Sequence, residues 1–259
     1  MNRNTLIAAV GVLLVVILMQ AIALWMTPTG LPDTATTAER AEPDAVREKL
    51  TALGEVGELA FEEDAGLYRA HIGSQILYVT PDGRFAINGD LYDLESRTNV
   101  TEQARSESRA SALAQIDTDD AIVFSPEGDT EHVVWVFTDP ECPYCQRFHN
   151  HMADFNERGI EVRYLAFPRA GPGSDNWRLT EALWCADDPR AAMTAVKGGQ
   201  SLDTAGMPCD ASPVADQYQI GRDIGLTGTP MIVDENGKVL GGYLKPEALA
   251  TRLAGNSRG

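Results

Sequence analysis

Residues 133–145 read Val-Val-Trp-Val-Phe-Thr-Asp-Pro-Glu-Cys-Pro-Tyr-Cys, and they carry the clearest structural signal of the chain. Its first five residues are β-branched or aromatic and uncharged, which is typical of a strand covered on both faces. The next four residues break that pattern. Large apolar residues then recur at helical spacing, at Phe148, Met152 and Phe155, until Gly159 supplies a stop. The stretch therefore predicts a central strand, a turn and an amphipathic helix.

The two cysteines of this stretch are the candidate reactive groups. The turn puts Cys142 at the N-terminus of the predicted helix, where unpaired N–H groups and the helix dipole favour a thiolate. Cys142 is therefore the predicted nucleophile. Cys145 lies about one helical turn further on and can resolve a mixed disulfide by attacking the Cys142 sulfur. Pro143 suits the first turn, because the N–H that it lacks would be unpaired there.

Two other interpretations of this C-x-x-C pair remain open. It can be half of a zinc site, since the spacing also suits metal ligands. We prefer the redox interpretation and predict no metal, because there is no second C-x-x-C and Cys185 and Cys209 stand far apart. A purely structural disulfide is the other alternative, but so short a loop gains little loop entropy.

Sequence on both sides of the C-x-x-C resembles the DsbC/DsbG family of periplasmic disulfide isomerases, most closely its DsbC branch. The resemblance covers roughly residue 46 to the C-terminus and is weaker before residue 131. It is carried in order by residues 136–139, 149, 152–156, 159–160, 162–169, 184–186, 209–210 and 228–230. The resemblance implies an α/β thioredoxin fold with a helical insertion, preceded by a small α+β dimerisation domain.

The segment Thr229-Pro230 resembles the cis-proline loop of thioredoxin folds. A proline at the start of a strand is otherwise only an edge residue without a donor. The family places this loop against the catalytic cysteines, where it binds extended substrate by strand addition. The resemblance therefore implies that Thr229, Pro230 and Tyr144 contact substrate.

Cys185 and Cys209 are separated by 24 positions. The resemblance to DsbC implies that they form a structural disulfide, worth about 3 kcal/mol by loop entropy. Two free buried thiols are the alternative, because sequence alone does not determine connectivity.

Two residues near the cysteines are candidates for tuning the thiolate. Pro143 departs from the Gly that DsbC-like sites usually have there and matches DsbG-like sites, and the residues between the cysteines tune thiolate stability and hence the balance of isomerase, reductase and oxidase activity. His149 stands one turn beyond Cys145 and is either a thiolate-stabilising group or a solvated helix residue.

Length and charge restrict the possible functions. The 259 residues suffice for about two domains. There are 21 basic and 38 acidic side chains, and the formal net charge is −17. This excess of acid argues against nucleic-acid binding, which requires Lys and Arg for the phosphates.

The N-terminus carries an export signal. Residues 6–26, from Leu6 to Met26, are an almost unbroken apolar run that is long enough to cross a bilayer. Arg3 is the only positive charge nearby, which predicts a cytoplasmic N-terminus and a periplasmic remainder. The run is either a cleaved signal peptide or an inner-membrane anchor, and the lack of a small-x-small cleavage site favours the anchor. Residues 27–45 are predicted to be a flexible tether.

Three further regions follow the tether. Residues 46–100 alternate short apolar runs with Gly and Pro turns, which predicts an antiparallel meander. The family resemblance makes this unit the dimerisation domain, and a self-contained lid or spacer is the alternative. Residues 101–130 hold a predicted linker helix over 101–117 and a connection. Residues 131–259 are the predicted thioredoxin-like catalytic domain, ending in a hairpin and a helix.

These features lead to one functional hypothesis. We expect an exported, homodimeric thiol:disulfide interchange protein that acts on misfolded or mis-oxidised exported proteins and needs no cofactor. The resemblance implies a DsbD-like membrane reductase as its electron donor. Two alternatives stay open, namely a DsbG-like reductase of single sulfenylated cysteines and a non-enzymatic holdase chaperone.

Overall fold

The computed structural model describes residues 40–202 and 212–256 of the chain. The predicted membrane segment, residues 6–26, lies outside this part, as do Cys209 and most of the predicted tether. Among the helices of the described part, none is both long and apolar enough to span a membrane.

The first structural layer is an antiparallel meander with one helix on its face. Its elements are α1 (Pro43–Leu50), a 3₁₀ turn (Thr51–Leu53), β1 (Val56–Glu62), β2 (Leu67–Ile72), β3 (Gln75–Val79) and β4 (Ala86–Asn88). The strands pair in the order β1-β2-β3-β4. Val46 and Leu50 of α1 pack on Tyr68 and Ala70 of β2. The predicted meander is confirmed.

Two elements of this layer were not predicted. Helix α1 begins at Pro43, inside the predicted tether, because proline suits the first position of a helix. Strand β1 lacks a clear apolar alternation, since Gly57, Glu58 and Ala60 interrupt it. It forms because β2 supplies its hydrogen-bonding partners.

A short ribbon and a helix follow the meander. They are β5 (Tyr92–Asp93), β6 (Thr98–Asn99) and α2 (Val100–Leu113), and a 3₁₀ turn at Thr118–Asp120 comes next. The Asn99 side chain caps α2 by accepting a hydrogen bond from the Glu102 N–H at 2.9 Å. The predicted linker helix is thus present, but it ends before residue 117.

A mixed sheet forms the second layer. Its strands are β7 (Ile122–Phe124), β8 (His132–Thr138), β9 (Ile160–Ala166), β10 (Met231–Asp234) and β11 (Val239–Gly241). They pair in the order β11-β10-β8-β9-β7, and β8 and β9 run parallel while the other pairs are antiparallel. The strand predicted from residues 133–137 is therefore central, and the predicted hairpin is β10 and β11.

Helices cover both faces of this sheet. They are α3 (Pro143–His149), α4 (Met152–Asn156), α5 (Asp175–Trp184), α6 (Pro189–Lys197), α7 (Val214–Asp223) and α8 (Pro246–Asn256). Val134 and Val136 of β8 face the core under α3, α4, α6 and α8. Trp135 and Phe137 face the other core, under α2 and α7. The predicted insertion between β9 and β10 contains α5, α6 and α7.

The helix predicted after Cys145 is broken in the structure. It ends as α3 at His149 and resumes as α4 at Met152, because the His151 N–H bonds the Phe148 carbonyl at 3.1 Å in place of the helical pattern. Asn150 and His151 are both poor helix formers, which favours a break there. The apolar face still continues across the break, and the rings of Phe148 and Phe155 stack 4.5 Å apart.

Candidate active site

The turn between β8 and α3 is organised by the carboxylate of Asp139, which is buried. Its Oδ1 accepts the Glu141 N–H at 2.8 Å, and its Oδ2 accepts the Arg169 N–H at 3.0 Å and Nε at 2.8 Å. Burial opposes ionisation of Asp139, but these hydrogen bonds outweigh it and hold the pKa below its usual value. The Asp139 carbonyl accepts the Cys142 N–H at 3.1 Å, so α3 begins there.

Both cysteines of the pair are free thiols, and each is only 1% exposed. Cys142 caps the N-terminus of α3, with Pro143 at the first helical position as the sequence predicts. When protonated, the Cys142 thiol donates to the carbonyl oxygen of Thr229 at 3.2 Å. The tertiary fold therefore joins the C-x-x-C pair to the loop before β10.

The two thiols have opposite acidities. The pKa of Cys142 is lowered to about 5, chiefly by a hydrogen bond from Cys145, and burial opposes this shift. The Thr229 side chain and the N–H groups of Cys145 and Tyr144 also stabilise the thiolate. Burial raises the pKa of Cys145, and its hydrogen bond to the Cys142 sulfur adds to this. The pair is thus arranged as one thiolate beside one thiol.

The causes of the low Cys142 pKa refine the prediction that the helix N-terminus stabilises the thiolate. The N–H groups of the first turn do lower the pKa of Cys142, but the Cys145 thiol is the larger cause. Thr229 Oγ1 is buried and has no partner of ordinary hydrogen-bond geometry among the described residues. The Cys145 thiol is thus the main source of the low Cys142 pKa.

A groove lies beside the thiols. It is lined by Tyr144 and residues 227–231, with Val239 and residues 241–243 on its other side, and its volume is about 560 Å³. The Thr229–Pro230 peptide bond is cis, as in the loop that the sequence resembles. Tyr144 is exposed, and its ring lies 6.4 Å from that of Tyr243, which the sequence did not single out. The three predicted substrate contacts therefore lie together at the groove.

His149 has neither of the two predicted environments. It is 6% exposed, and its ring nitrogens hydrogen-bond Tyr164 at 3.2 Å and Thr194 at 3.1 Å. Burial, with the nearby Lys197 charge, lowers its pKa to about 4. A neutral imidazole brings no charge to a thiolate, so His149 is a core residue and its predicted tuning role is not supported.

Cys185 lies at the end of α5 and is held in a disulfide. Its predicted partner, Cys209, falls outside the described residues, so the pairing of these two cysteines stays a prediction.

A buried polar layer next to the thiols was missed by the sequence analysis. Lys197 of α6 donates to Thr138 and to the Asp139 carbonyl, and Asn176 of α5 donates to the Asp139 carboxylate at 3.1 Å. Lys197 follows Val196 and stands four residues after Met193, both buried in the core. A lysine on the apolar face of a helix was the signal that could have revealed it.

Two family models match the sequence. The model of a thioredoxin-like domain matches residues 119–255, and that of the N-terminal domain of disulfide bond isomerase proteins matches residues 35–102. Together they cover most of the chain, on both sides of helix α2.

Named relatives agree with these models. Thiol:disulfide interchange protein DsbC of Escherichia coli is 36% identical over 213 residues, which are 81% of this chain and 86% of that protein. The protein of the same name from Salmonella typhimurium is 37% identical over 216 residues, 82% of this chain and 87% of its own. A solved disulfide interchange protein from Neisseria gonorrhoeae is 27% identical, has a TM-score of 0.46 and covers 54% of this chain and 97% of that one.

Proposed function

The chain belongs to the DsbC family of thiol:disulfide interchange proteins, and we propose that it rearranges wrong disulfides in exported proteins through a mixed disulfide on Cys142. It is a thiol:disulfide oxidoreductase with a thioredoxin-like domain, as the sequence predicts. One observation carries the assignment of Cys142. Its low-pKa sulfur contacts the Thr229 carbonyl beside a groove that an extended peptide can enter.

The opposite acidities of the two thiols suit the two steps of this reaction. Cys142 is the thiolate near neutral pH and attacks a substrate disulfide, which forms the mixed disulfide and releases one substrate sulfur. Cys145 stays protonated and out of solvent until the mixed disulfide exists. A second substrate thiol then completes isomerisation, or Cys145 attacks Cys142 and the substrate is reduced.

We assign substrate binding to the groove beside the thiols. Thr229 and Pro230 present the backbone of the cis-proline loop to a bound peptide. Tyr144, which is exposed, supplies an apolar side to the same groove. The Cys185–Cys209 disulfide is part of the proposal as a brace of the helical insertion.

The cellular setting is also proposed. Residues 6–26 would export the protein to the periplasm, where they either are removed or remain as an inner-membrane tether. Cys142 and Cys145 must be kept reduced there, so we propose a DsbD-like membrane reductase as the electron donor. Mass spectrometry of the mature N-terminus distinguishes the two fates, since a chain starting after about residue 35 excludes the tether.

We propose a homodimer formed by residues 46–100, with residues 101–130 as linker and 131–259 as catalytic domain. The match to the isomerase N-terminal domain supports this. Strand β4 lies at the edge of its sheet, where unpaired backbone groups can add a strand. Phe85 and Ile87 are more than half exposed there. Large apolar side chains exposed together at a sheet edge are typical of an interaction surface.

Sedimentation of Ile87→Glu tests the dimer. We expect monomers for this variant and dimers for the wild type and for Leu53→Glu, a matched change at an exposed leucine of the 3₁₀ turn before β1. A monomeric wild type, or an unchanged dimer in Ile87→Glu, would contradict the proposed interface.

Refolding of a scrambled multi-disulfide protein in glutathione buffer tests the activity. The wild type should restore the substrate's activity and Cys142→Ser should not. Cys145→Ser should keep part of the activity, because substrate thiols can resolve the mixed disulfide directly. Equal rescue by Cys142→Ser would point to a holdase, and no rescue by any form would redirect the assay to sulfenic-acid reduction.

A further inference from the structure

Lys197 lies at the end of α6 with its side chain almost fully enclosed, at 3% exposure. Its Nζ donates to Thr138 Oγ1 at 2.9 Å and to the Asp139 carbonyl oxygen at 2.6 Å. Within the part of the chain that the structure describes, Lys197 forms no ion pair with a carboxylate. The Asp139 carboxylate instead accepts hydrogen bonds from Arg169 and Asn176.

A buried ammonium without an anion is unfavourable. Lys197 is therefore suited either to the neutral amine form or to pairing with an anion that appears during the reaction. The anions that the site can form are thiolates, since the cysteine pair is adjacent.

The two oxygens that bind Lys197 belong to residues in contact with the cysteines. The Asp139 carbonyl also accepts the Cys142 N–H at 3.1 Å. The Thr138 side chain, which is fully buried at the end of β8, interacts with the Cys145 sulfur and favours its thiolate. The Thr138 hydroxyl therefore interacts with both the Lys197 amine and the Cys145 sulfur.

We propose that Lys197 accepts the proton of Cys145, through the Thr138 hydroxyl, when Cys145 resolves the mixed disulfide. This inference rests on the proposed function, because it presupposes a substrate joined to Cys142. It concerns only the second chemical step, in which Cys145 resolves the mixed disulfide. It predicts no change in the first step, the attack of Cys142 on the substrate.

The Cys145 proton passes to the Thr138 oxygen while the Thr138 proton passes to the Lys197 amine, and the Cys145 sulfur attacks the Cys142 sulfur. The Cys142–substrate S–S bond breaks and the Cys142–Cys145 bond forms. The substrate sulfur leaves with the electron pair and is protonated by solvent. The two cysteines are oxidised, and the substrate is reduced by two electrons.

The acidities in this layer agree with that transfer. Burial raises the pKa of the Cys145 thiol, so it needs a base. Burial lowers the pKa of Lys197 to about 8. The negative charges of Cys145, Asp139 and Cys142 oppose this shift, and the positive charge of Arg169 adds to it. His149 and Tyr164, which also lie beside the thiols, are both neutral, because burial lowers the pKa of the imidazole and raises that of the phenol. A neutral Lys197 amine is therefore accessible near neutral pH.

A single-turnover experiment separates the two steps. The full-length reduced protein, in excess, is mixed with a disulfide-linked pair of fluorescent peptides, acid-quenched at intervals and analysed by mass spectrometry. At about pH 7, Lys197→Met should form the mixed disulfide within about two-fold of the wild-type rate, because Cys142 is ionised well below this pH. Resolution of the mixed disulfide by Cys145 should be roughly 100-fold slower than in the wild type, which is a usual size for general-base catalysis.

Matched variants distinguish proton transfer from packing. Thr138→Val should slow resolution as Lys197→Met does, whereas Thr138→Ser, which keeps a hydroxyl, should not. Lys197→Arg keeps the charge but cannot release a proton, so it too should be slow. Exposed Lys245→Met is the control and should match the wild type. The wild-type resolution rate should rise with pH and level off above about pH 8, the Lys197 pKa.

Several results would overturn the inference. One is a wild-type rate of mixed-disulfide resolution in Lys197→Met, Lys197→Arg or Thr138→Val. Another is an equal slowing of mixed-disulfide formation and of its resolution in these variants. Absence of the first step in the wild type is a different result, because it removes the proposed function itself.

Discussion

Replacing Cys145 with alanine should raise the pKa of Cys142. The largest cause of the low value of about 5 is the hydrogen bond from Cys145 to the Cys142 sulfur. A hydrogen bond to a charged group is worth about 1.5–3 kcal/mol, and one pKa unit corresponds to about 1.4 kcal/mol. Losing this bond should therefore move the pKa of Cys142 up by roughly one to two units, to about 6 or 7.

The pKa is measured from thiolate ultraviolet absorbance and from the rate of alkylation by iodoacetamide as the pH is varied. Cys145→Ser is the matched control, because its hydroxyl can still donate to the thiolate and should retain part of the shift. Cys142→Ser supplies the baseline. If Cys145→Ala left the pKa at about 5, the first-turn N–H groups would be the main cause, and our assignment to the neighbouring thiol would be wrong.

Asp139→Ala should lower the free energy of unfolding, measured by urea denaturation, by roughly 2–4 kcal/mol, because it leaves buried donors such as the Asn176 amide without their acceptor, whereas exposed Asp187→Ala should change it by less than about 0.5 kcal/mol. Gly237→Ala should be much more destabilising than Gly66→Ala by thermal unfolding. Both glycines have a positive φ, but a Cβ at Gly237 would lie 1.9 Å from a backbone oxygen of α2, and one at Gly66 would meet nothing; equal effects would contradict this. The Cys142 thiolate should stabilise the reduced protein in a pH-dependent way. Because its folded pKa of about 5 lies below the ordinary 9.0, this stability is complete above about pH 9 and is lost as the pH falls through about 5. At about pH 7 it should amount to roughly 1–2 kcal/mol after allowance for solvent screening, so the advantage of reduced wild type over Cys142→Ser should disappear by about pH 4.

Much of the fold was predictable because its signals are local. The uncharged run at residues 133–137 becomes the central strand, and the turn signals after residue 234 become the β10–β11 hairpin. Strand β1 was missed because its residues carry a weak pattern, and only pairing with β2 makes it a strand. The break between α3 and α4 was missed for a related reason, since the apolar spacing continues through it.

The active site divides in the same way. The C-x-x-C spacing and Pro143 are local features, and they indicated a reactive cysteine at a helix start. The position of Thr229 against Cys142 depends on β10 pairing with β8, which brings together residues 87 positions apart. Sequence reasoning found that contact only through family resemblance.

The central strand, the turn and helix that carry the C-x-x-C pair, and the closing hairpin were readable from the sequence alone, because each depends on neighbouring residues and their periodicity; the excess of acidic residues was readable from composition. Only the tertiary structure decided which side chains share the low-dielectric space around the thiols. It buried His149 as a neutral core residue and set Lys197 beside Thr138, because burial and electrostatic environment depend on packing between elements that are distant in the chain.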